Sequence, residues 1–244
     1  MLRAFFTSLF IIAWTFTFSV LAILSHLISP RGGIYLLFAQ IWAKAIFWVG
    51  GIKAQRTVSP LIDVEKNYLY LSNHESLTDI LALYATLPQK VVMVAKRSLL
   101  ILPVFSWGMW MAGFVFINRK NRVAAYRSME KAGQRLRRGR SVVVFPEGTR
   151  GDGGELLPFK RGGFVLAQAA RIPVVPVGIH GTRAVLPRDR FCVFPGRIAI
   201  CVGEPIPPPA AGEPLTKFME TVRTEVVRLR QEARQLAQSS ANSA

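Results

Sequence analysis

The run Ser72-Asn73-His74-Glu75-Ser76-Leu77-Thr78-Asp79 sets a histidine and an aspartate five residues apart, directly after the apolar stretch Tyr68-Leu69-Tyr70-Leu71. A neutral imidazole accepts a proton from a hydroxyl near pH 7, and a carboxylate fixes its tautomer and steadies its charge. The pair is therefore a candidate general base with its orienting partner, two-thirds of a catalytic triad without the serine. On its own the spacing is weak evidence, because it arises often by chance.

Three further blocks accompany it. Gly113-Phe114-Val115-Phe116-Ile117-Asn118-Arg119 reads as a buried strand ending in an arginine. In Phe145-Pro146-Glu147-Gly148-Thr149-Arg150 a hydrophobic strand stops at proline and opens into a polar turn. Glycine there lets backbone approach a ligand, the threonine hydroxyl can donate, and a guanidinium can grip a phosphate through two donors. Ile172-Pro173-Val174-Val175-Pro176-Val177 carries no reactive group and reads as a proline-bounded core strand. Each block also has a bland reading: a surface arginine, a capped turn, a packed strand.

These residues need a scaffold. Runs rich in Val, Ile and Tyr predict strands over 68–71, 91–94, 114–117, 142–145, 174–179 and 198–202. Helices are predicted over 79–87, 99–111, 122–138 and 163–170, with a last helix over 214–238. On that helix Leu215, Phe218, Met219, Val222, Val226 and Leu229 share one face, suited to core packing. The alternation of strands and helices predicts an α/β sandwich around a mostly parallel sheet, with chemistry gathered at strand ends. Pro205 to Pro209 reads as a stiff linker, and 239–244 as a disordered tail.

The N-terminus is of another character. Residues 4–24 contain no charge, a length that suits a membrane helix. A break at Ser29-Pro30-Arg31-Gly32-Gly33 precedes a second apolar stretch over 34–52, in which Trp42, Lys44, Trp48 and Lys53 resemble interfacial anchors. Residues 1–55 are thus expected to form a two-helix membrane motif, either a hairpin dipping into one leaflet or a spanning helix followed by an interfacial one. Residues 56–238 form the globular domain. A cleaved signal peptide fits less well, because the apolar core is long and a second one follows directly.

Hydrophobic residues make up 51% of the 244 and charged ones 18%, greasier than an ordinary soluble domain. The formal net charge of +17 implies an anionic partner. With a membrane element at hand, anionic headgroups fit best, and the positive-inside tendency places the domain on the cytoplasmic face, at the inner membrane if the source is bacterial. A membrane-tethered nucleic-acid binder would also explain the charge, but it leaves the His/Asp pair unexplained, and no nucleic-acid-binding motif is evident. Cys192 and Cys201 lie in apolar surroundings with no CxxC or Cys/His cluster, so reduced core residues are expected and no metal site.

In this order and spacing the four blocks resemble those of the glycerolipid acyltransferases, most closely the 1-acylglycerol-3-phosphate acyltransferases. That family is recognised by Asn-His-x-x-x-x-Asp, Gly-x-x-Phe-Ile-x-Arg, Phe-Pro-Glu-Gly-Thr-Arg and a proline-rich apolar block. The resemblance covers residues 68 to 179. Ser76, the pair Lys96-Arg97 and the run Phe159-Lys160-Arg161-Gly162 match it as well, while Gly151 stands where a serine is frequent. The resemblance implies that His74 takes the proton of the free 2-hydroxyl of a lysophosphatidate while Asp79 holds the imidazole. The hydroxyl oxygen then attacks the thioester of acyl-CoA or acyl-carrier protein, without an acyl-enzyme and without a bound cofactor, giving phosphatidate. It places the glycerol phosphate near Arg119, Glu147, Gly148, Thr149 and Arg150, with Lys96 a further contact. Glu147 would orient an arginine or accept from a substrate hydroxyl. Other acceptors remain open: glycerol-3-phosphate, another lysophospholipid or a lyso-aminolipid.

Overall fold

A computed structural model describes residues 2–28, 33–89, 91–111, 113–118, 121–137, 139–190, 192–210 and 213–239. Among the described residues seven strands form one sheet: β1 (Ile52–Val58), β2 (Leu69–Ser72), β3 (Val91–Lys96), β4 (Val115–Ile117), β5 (Ser141–Val144), β6 (Val174–His180) and β7 (Gly196–Val202). Their order is β1-β7-β6-β2-β5-β3-β4, and every neighbouring pair is parallel except the antiparallel β6 and β7. The central strands are apolar and covered on both faces, as parallel sheets require. Leu69, Tyr70, Leu71, Val142, Val143, Val174 and Val175 are all fully buried.

Chain order departs from strand order at β2. From there the chain runs through α3 (Thr78–Thr86) to β3 on one side, while β6 flanks β2 on the other. Such a reversal opens a crevice at the carboxyl ends of the strands. The His/Asp block begins as β2 ends at Ser72, inside that crevice.

β1 is absent from the sequence expectation. Its polar pattern Ile52-Lys53-Ala54-Gln55-Arg56-Thr57-Val58 resembles a linker, yet it pairs along its length with β7. It is an edge strand, where outward charges such as Lys53 and Arg56 discourage pairing with other chains. It starts before the domain boundary expected after Gln55. The helix expected over 99–111 is divided into a 3-10 turn (Arg97–Ile101) and α4 (Pro103–Met111). Pro103 disfavours a helical Leu102 and itself suits a first helical position.

Helices α1 (Leu2–Ile28) and α2 (Gly33–Gly50) pack on each other, and the Trp42 indole donates to Thr15 Oγ1 at 3.0 Å. Trp42 is thereby tucked between helices, whereas Trp48 is 85% exposed, as an interfacial anchor would be. α2 buries Ala43, Ile46 and Phe47 against the domain. α1 lies against α4, where a Cβ on Gly108 would sit 3.5 Å from the Ser19 carbonyl oxygen and 3.7 Å from Ala22 Cβ. The stretch Phe5–His26 is long and apolar enough to cross a membrane, and only 17% of its apolar window is buried inside the fold, so it is not an ordinary core helix. Phe5, Phe6, Leu9, Ile12 and Phe16 project outward from it. The break expected at 29–33 falls largely outside the described residues.

α5 (Arg122–Arg137) and α6 (Gly162–Ala170) pack together, and the short α7 (Thr182–Val185) follows β6. α8 (Leu215–Ser239) lies across β6 and β7 and buries Leu215, Phe218, Val222, Val226, Leu229, Ala233 and Ala237. Gly178 on β6 makes the close approach possible: a Cβ there would stand 2.2 Å from the Arg230 nitrogen. The proline-rich segment after β7 is pinned by a bridge between Ile206 and Val174. Of the expected tail, Ser239 closes α8 and residues 240–244 lie outside the described residues.

Candidate active site

His74 and Asp79 meet. His74 Nδ1 lies 2.7 Å from Asp79 Oδ2, and Asp79 is fully buried at the start of α3. The same Oδ2 accepts the backbone N–H groups of Glu75 at 2.7 Å and Ser76 at 2.9 Å. With three donors on one acceptor oxygen, the imidazole proton belongs on Nδ1, which leaves the Nε2 lone pair free to accept a proton. Asp79 Oδ1 is buried and takes no hydrogen bond among the described residues. The carboxylate is thus dry, and its attraction for an imidazolium is correspondingly strong. The His74 ring stacks on Phe145 with centroids 4.0 Å apart and planes 15° from parallel.

The loop that carries His74 is tied on three sides. Asn73 bonds β6 in both directions, donating to the Ile179 carbonyl at 2.9 Å and accepting the Ile179 N–H at 2.8 Å. Glu147 Oε1 accepts the His74 N–H at 2.8 Å, and its Oε2 accepts the Leu157 N–H at 2.9 Å. The Gly151 N–H donates to the His74 carbonyl at 2.7 Å. Glu75 forms a 2.7 Å ion pair with Arg230 of α8, whose other nitrogens donate to the carbonyls of Gly153 and Gly154. Burial raises the carboxyls of Glu75 and Glu147 above their ordinary range; Arg230 opposes this at Glu75, and the two backbone donors oppose it at Glu147.

Glu147 therefore holds backbone; of the two partners expected of it, an arginine or a substrate hydroxyl, the arginine is not the one it meets. No guanidinium pairs with it among the described residues, and both of its oxygens are engaged. Gly148 follows with φ +70°, a conformation that favours glycine, and an added Cβ would stand 2.7 Å from Lys160 Nζ, the movable end of a flexible side chain. Ser76 Oγ donates to the Leu186 carbonyl at 2.8 Å, turned away from the role of a nucleophile.

Beside the His/Asp pair lies a cavity of about 700 Å³, walled by α1, α2, α3 and α4. Its walls include Phe18, Phe38, Tyr84, Met109 and Phe114, and it reaches Phe145 under the His74 ring. Lys96, Thr149, Arg150 and Arg188 add polar and cationic groups to the lining. Lys96, Thr149 and Arg150 line this cavity together with Phe145, on which the His74 ring stacks, while Glu147 holds the His74 backbone N–H. Arg119 lies outside the described residues. The sequence assigns no role to Arg188 or Arg230, and none to Asn73 although it opens the first block. Arg188 follows the unremarkable Val185-Leu186-Pro187, and the partners of the other two lie more than 100 residues away. No cluster of potential metal ligands occurs among the described residues.

Residues 52–180, from β1 to the end of β6, match the family model described as Acyltransferase. The chain belongs to this acyltransferase family. Among its relatives, the human 1-acyl-sn-glycerol-3-phosphate acyltransferase beta is 38% identical over 138 residues, 56% of this chain and 50% of the relative. The bovine 1-acyl-sn-glycerol-3-phosphate acyltransferase alpha is 32% identical over 206 residues, 84% of this acyltransferase and 72% of the relative. The fold agrees with the crystal structure of the 1-acyl-sn-glycerophosphate (LPA) acyltransferase PlsC from Thermotoga maritima, with a TM-score of 0.80 at 23% identity, over 96% of this chain and 95% of that one.

Proposed function

We propose that this acyltransferase moves an acyl group from acyl-CoA or acyl-carrier protein to the 2-hydroxyl of 1-acylglycerol-3-phosphate, making phosphatidate. The observation that carries the reading is the His74–Asp79 pair beside an apolar cavity whose lining includes Lys96, Arg150 and Arg188. His74 Nε2 takes the hydroxyl proton as the oxygen attacks the thioester carbonyl. Asp79 offsets the imidazolium charge as it forms. The tetrahedral adduct collapses, the C–S bond breaks, and the leaving thiolate takes the proton back from Nε2. Ser76 Oγ is engaged elsewhere, so transfer is direct. The acyl chain of the lysolipid lies in the 700 Å³ cavity, within the usual size range of ligand sites. Its phosphate meets Arg150, Lys96 and Arg188, with Thr149 as a donor, and Arg119 is assigned to the same phosphate from its block. Glu147 and Gly148 serve as positioning residues: one ties the His74 loop, the other admits Lys160.

The helical pair over 2–50 docks the domain on a bilayer through the outer face of α1, so that the lysolipid enters the cavity from the leaflet. The net charge of +17 supports a cytoplasmic placement of the domain, against anionic headgroups. The test is acyl transfer to lysophosphatidate by the purified chain with each donor, beside His74→Ala. The variant should lose at least about 100-fold in kcat while still binding lysolipid. Near-normal turnover by His74→Ala removes the base. A preference for another acceptor in a panel at fixed donor replaces the substrate.

A further inference from the structure

A second recess of about 590 Å³ opens beyond the acyl cavity, on the same edge of the sheet. It is floored by β4 and walled by α4 and α5, and Phe114 lines both spaces. Three cations surround it: Arg97 just after β3, and Arg127 and Lys131 one turn apart on α5. All three are exposed, and no carboxylate among the described residues pairs with them. Trp110, Phe114 and Phe116 supply aromatic surface in the same recess. Nothing in the transfer chemistry at His74 uses these residues. Cations with no carboxylate partner among the described residues, beside the exposed Trp110 ring and the half-buried Phe116 ring, suit a ligand that bears several phosphates and a flat base, since rings stack on nucleobases and guanidinium groups chelate phosphates.

The placement fits one reactant. β2, β5, β3 and β4 run parallel, so the recess and His74 share the carboxyl edge. They are separated by three strand spacings, about 14 Å. A coenzyme A thioester has this shape: the reacting sulfur at one end of a flexible pantetheine arm, and a diphosphate, a 3′-phosphate and an adenine at the other. We infer that the recess formed by Arg97, Arg127, Lys131 and the rings of Trp110 and Phe116 binds the 3′-phosphoadenosine diphosphate end of acyl-CoA, with its pantetheine arm running along the sheet edge to His74. The inference rests on the acyl-transfer reading and selects acyl-CoA over a carrier protein as donor.

The test compares Arg127→Glu and Lys131→Glu with wild type and with Lys217→Glu, an equal change of charge on the exposed face of α8. Loss of one charge-assisted phosphate contact should raise the KM for acyl-CoA about tenfold or more. The kcat and the KM for lysophosphatidate should hold, and Lys217→Glu should behave as wild type. Adenosine 3′,5′-bisphosphate should compete with acyl-CoA and weaken in parallel. Calorimetric titration of CoA into His74→Ala, with and without Arg127→Glu, reads the site without turnover. A wild type that fails to acylate lysophosphatidate but binds CoA through Arg127 sinks the acceptor reading and leaves the recess standing. An unchanged KM for acyl-CoA, a rise in the lysophosphatidate KM instead, loss of binding to anionic vesicles as the sole effect, or exclusive use of acyl-carrier protein overturns it.

Discussion

Replacing Arg230 by alanine tests how the site is held together. The Glu75–Arg230 pair is nearly dry, with side chains 6% and 19% exposed. Removing one partner of a buried pair costs roughly 3–5 kcal/mol, because the other charge is left without compensation. Arg230 keeps some contact with water, so the low end, about 3 kcal/mol, is expected. For a chain of this size that lowers the Tm by roughly 6–12 °C. The deficit should also depend on pH. Burial already holds the Glu75 carboxyl above its ordinary range, Asp79 and Glu147 push the same way, and Arg230 pulls it back. Without Arg230 the carboxyl rises further. An acid raised in the folded chain weighs on the fold only once pH climbs through its range and the charge forms. The Tm deficit should therefore be largest near pH 8 and shrink toward acid as Glu75 takes a proton. Thermal unfolding in detergent, followed by circular dichroism from pH 8 to pH 5, measures this. In a Glu75→Gln background, Arg230→Ala should cost only its carbonyl contacts, about 1 kcal/mol. A deficit that is flat with pH, or as large in that background, would refute the reasoning.

Other outcomes follow from the same geometry. Asp79→Asn should lower kcat by roughly 10²–10⁴-fold with little change in the KM for lysophosphatidate, because an amide no longer fixes the Nδ1–H tautomer; steady-state kinetics decides. Arg150→Ala should raise the lysophosphatidate KM about tenfold or more while kcat falls less, and an unchanged KM would take Arg150 out of the phosphate site. Gly178→Ala drives a methyl against the α8 backbone and should destabilise by about 3 kcal/mol, read by denaturant midpoint; wild-type stability would mean that α8 does not lie that close.

Much of the scaffold was legible because its strands are fully buried and bounded by breakers. The expected 68–71, 91–94 and 142–145 strands fall within two residues of β2, β3 and β5 at each end. β1 escaped because an edge strand needs one apolar side at most, and Lys53, Gln55 and Arg56 mask it. The split before α4 was written in Pro103, though the apolar run around it suggested one helix. Two of the blocks supplied His74 with Asp79, which meet, and Thr149 with Arg150, which line the adjoining cavity. They could not reveal that Glu147 holds backbone or that Glu75 needs Arg230, since such partners are chosen by folding across long separations and leave no local spacing.

Glu75 and Arg230 are 155 residues apart in the chain. A ribosome makes the chain from its N-terminus, so all four blocks emerge well before α8 does. During that interval the His74 loop lacks its last brace, and Gly178 faces no helix. The final contact also has a long loop to close, which makes it a late step of folding. With α1 as the proposed membrane anchor, synthesis itself sets an order: the segment that docks is made before the helix that closes the His74 loop.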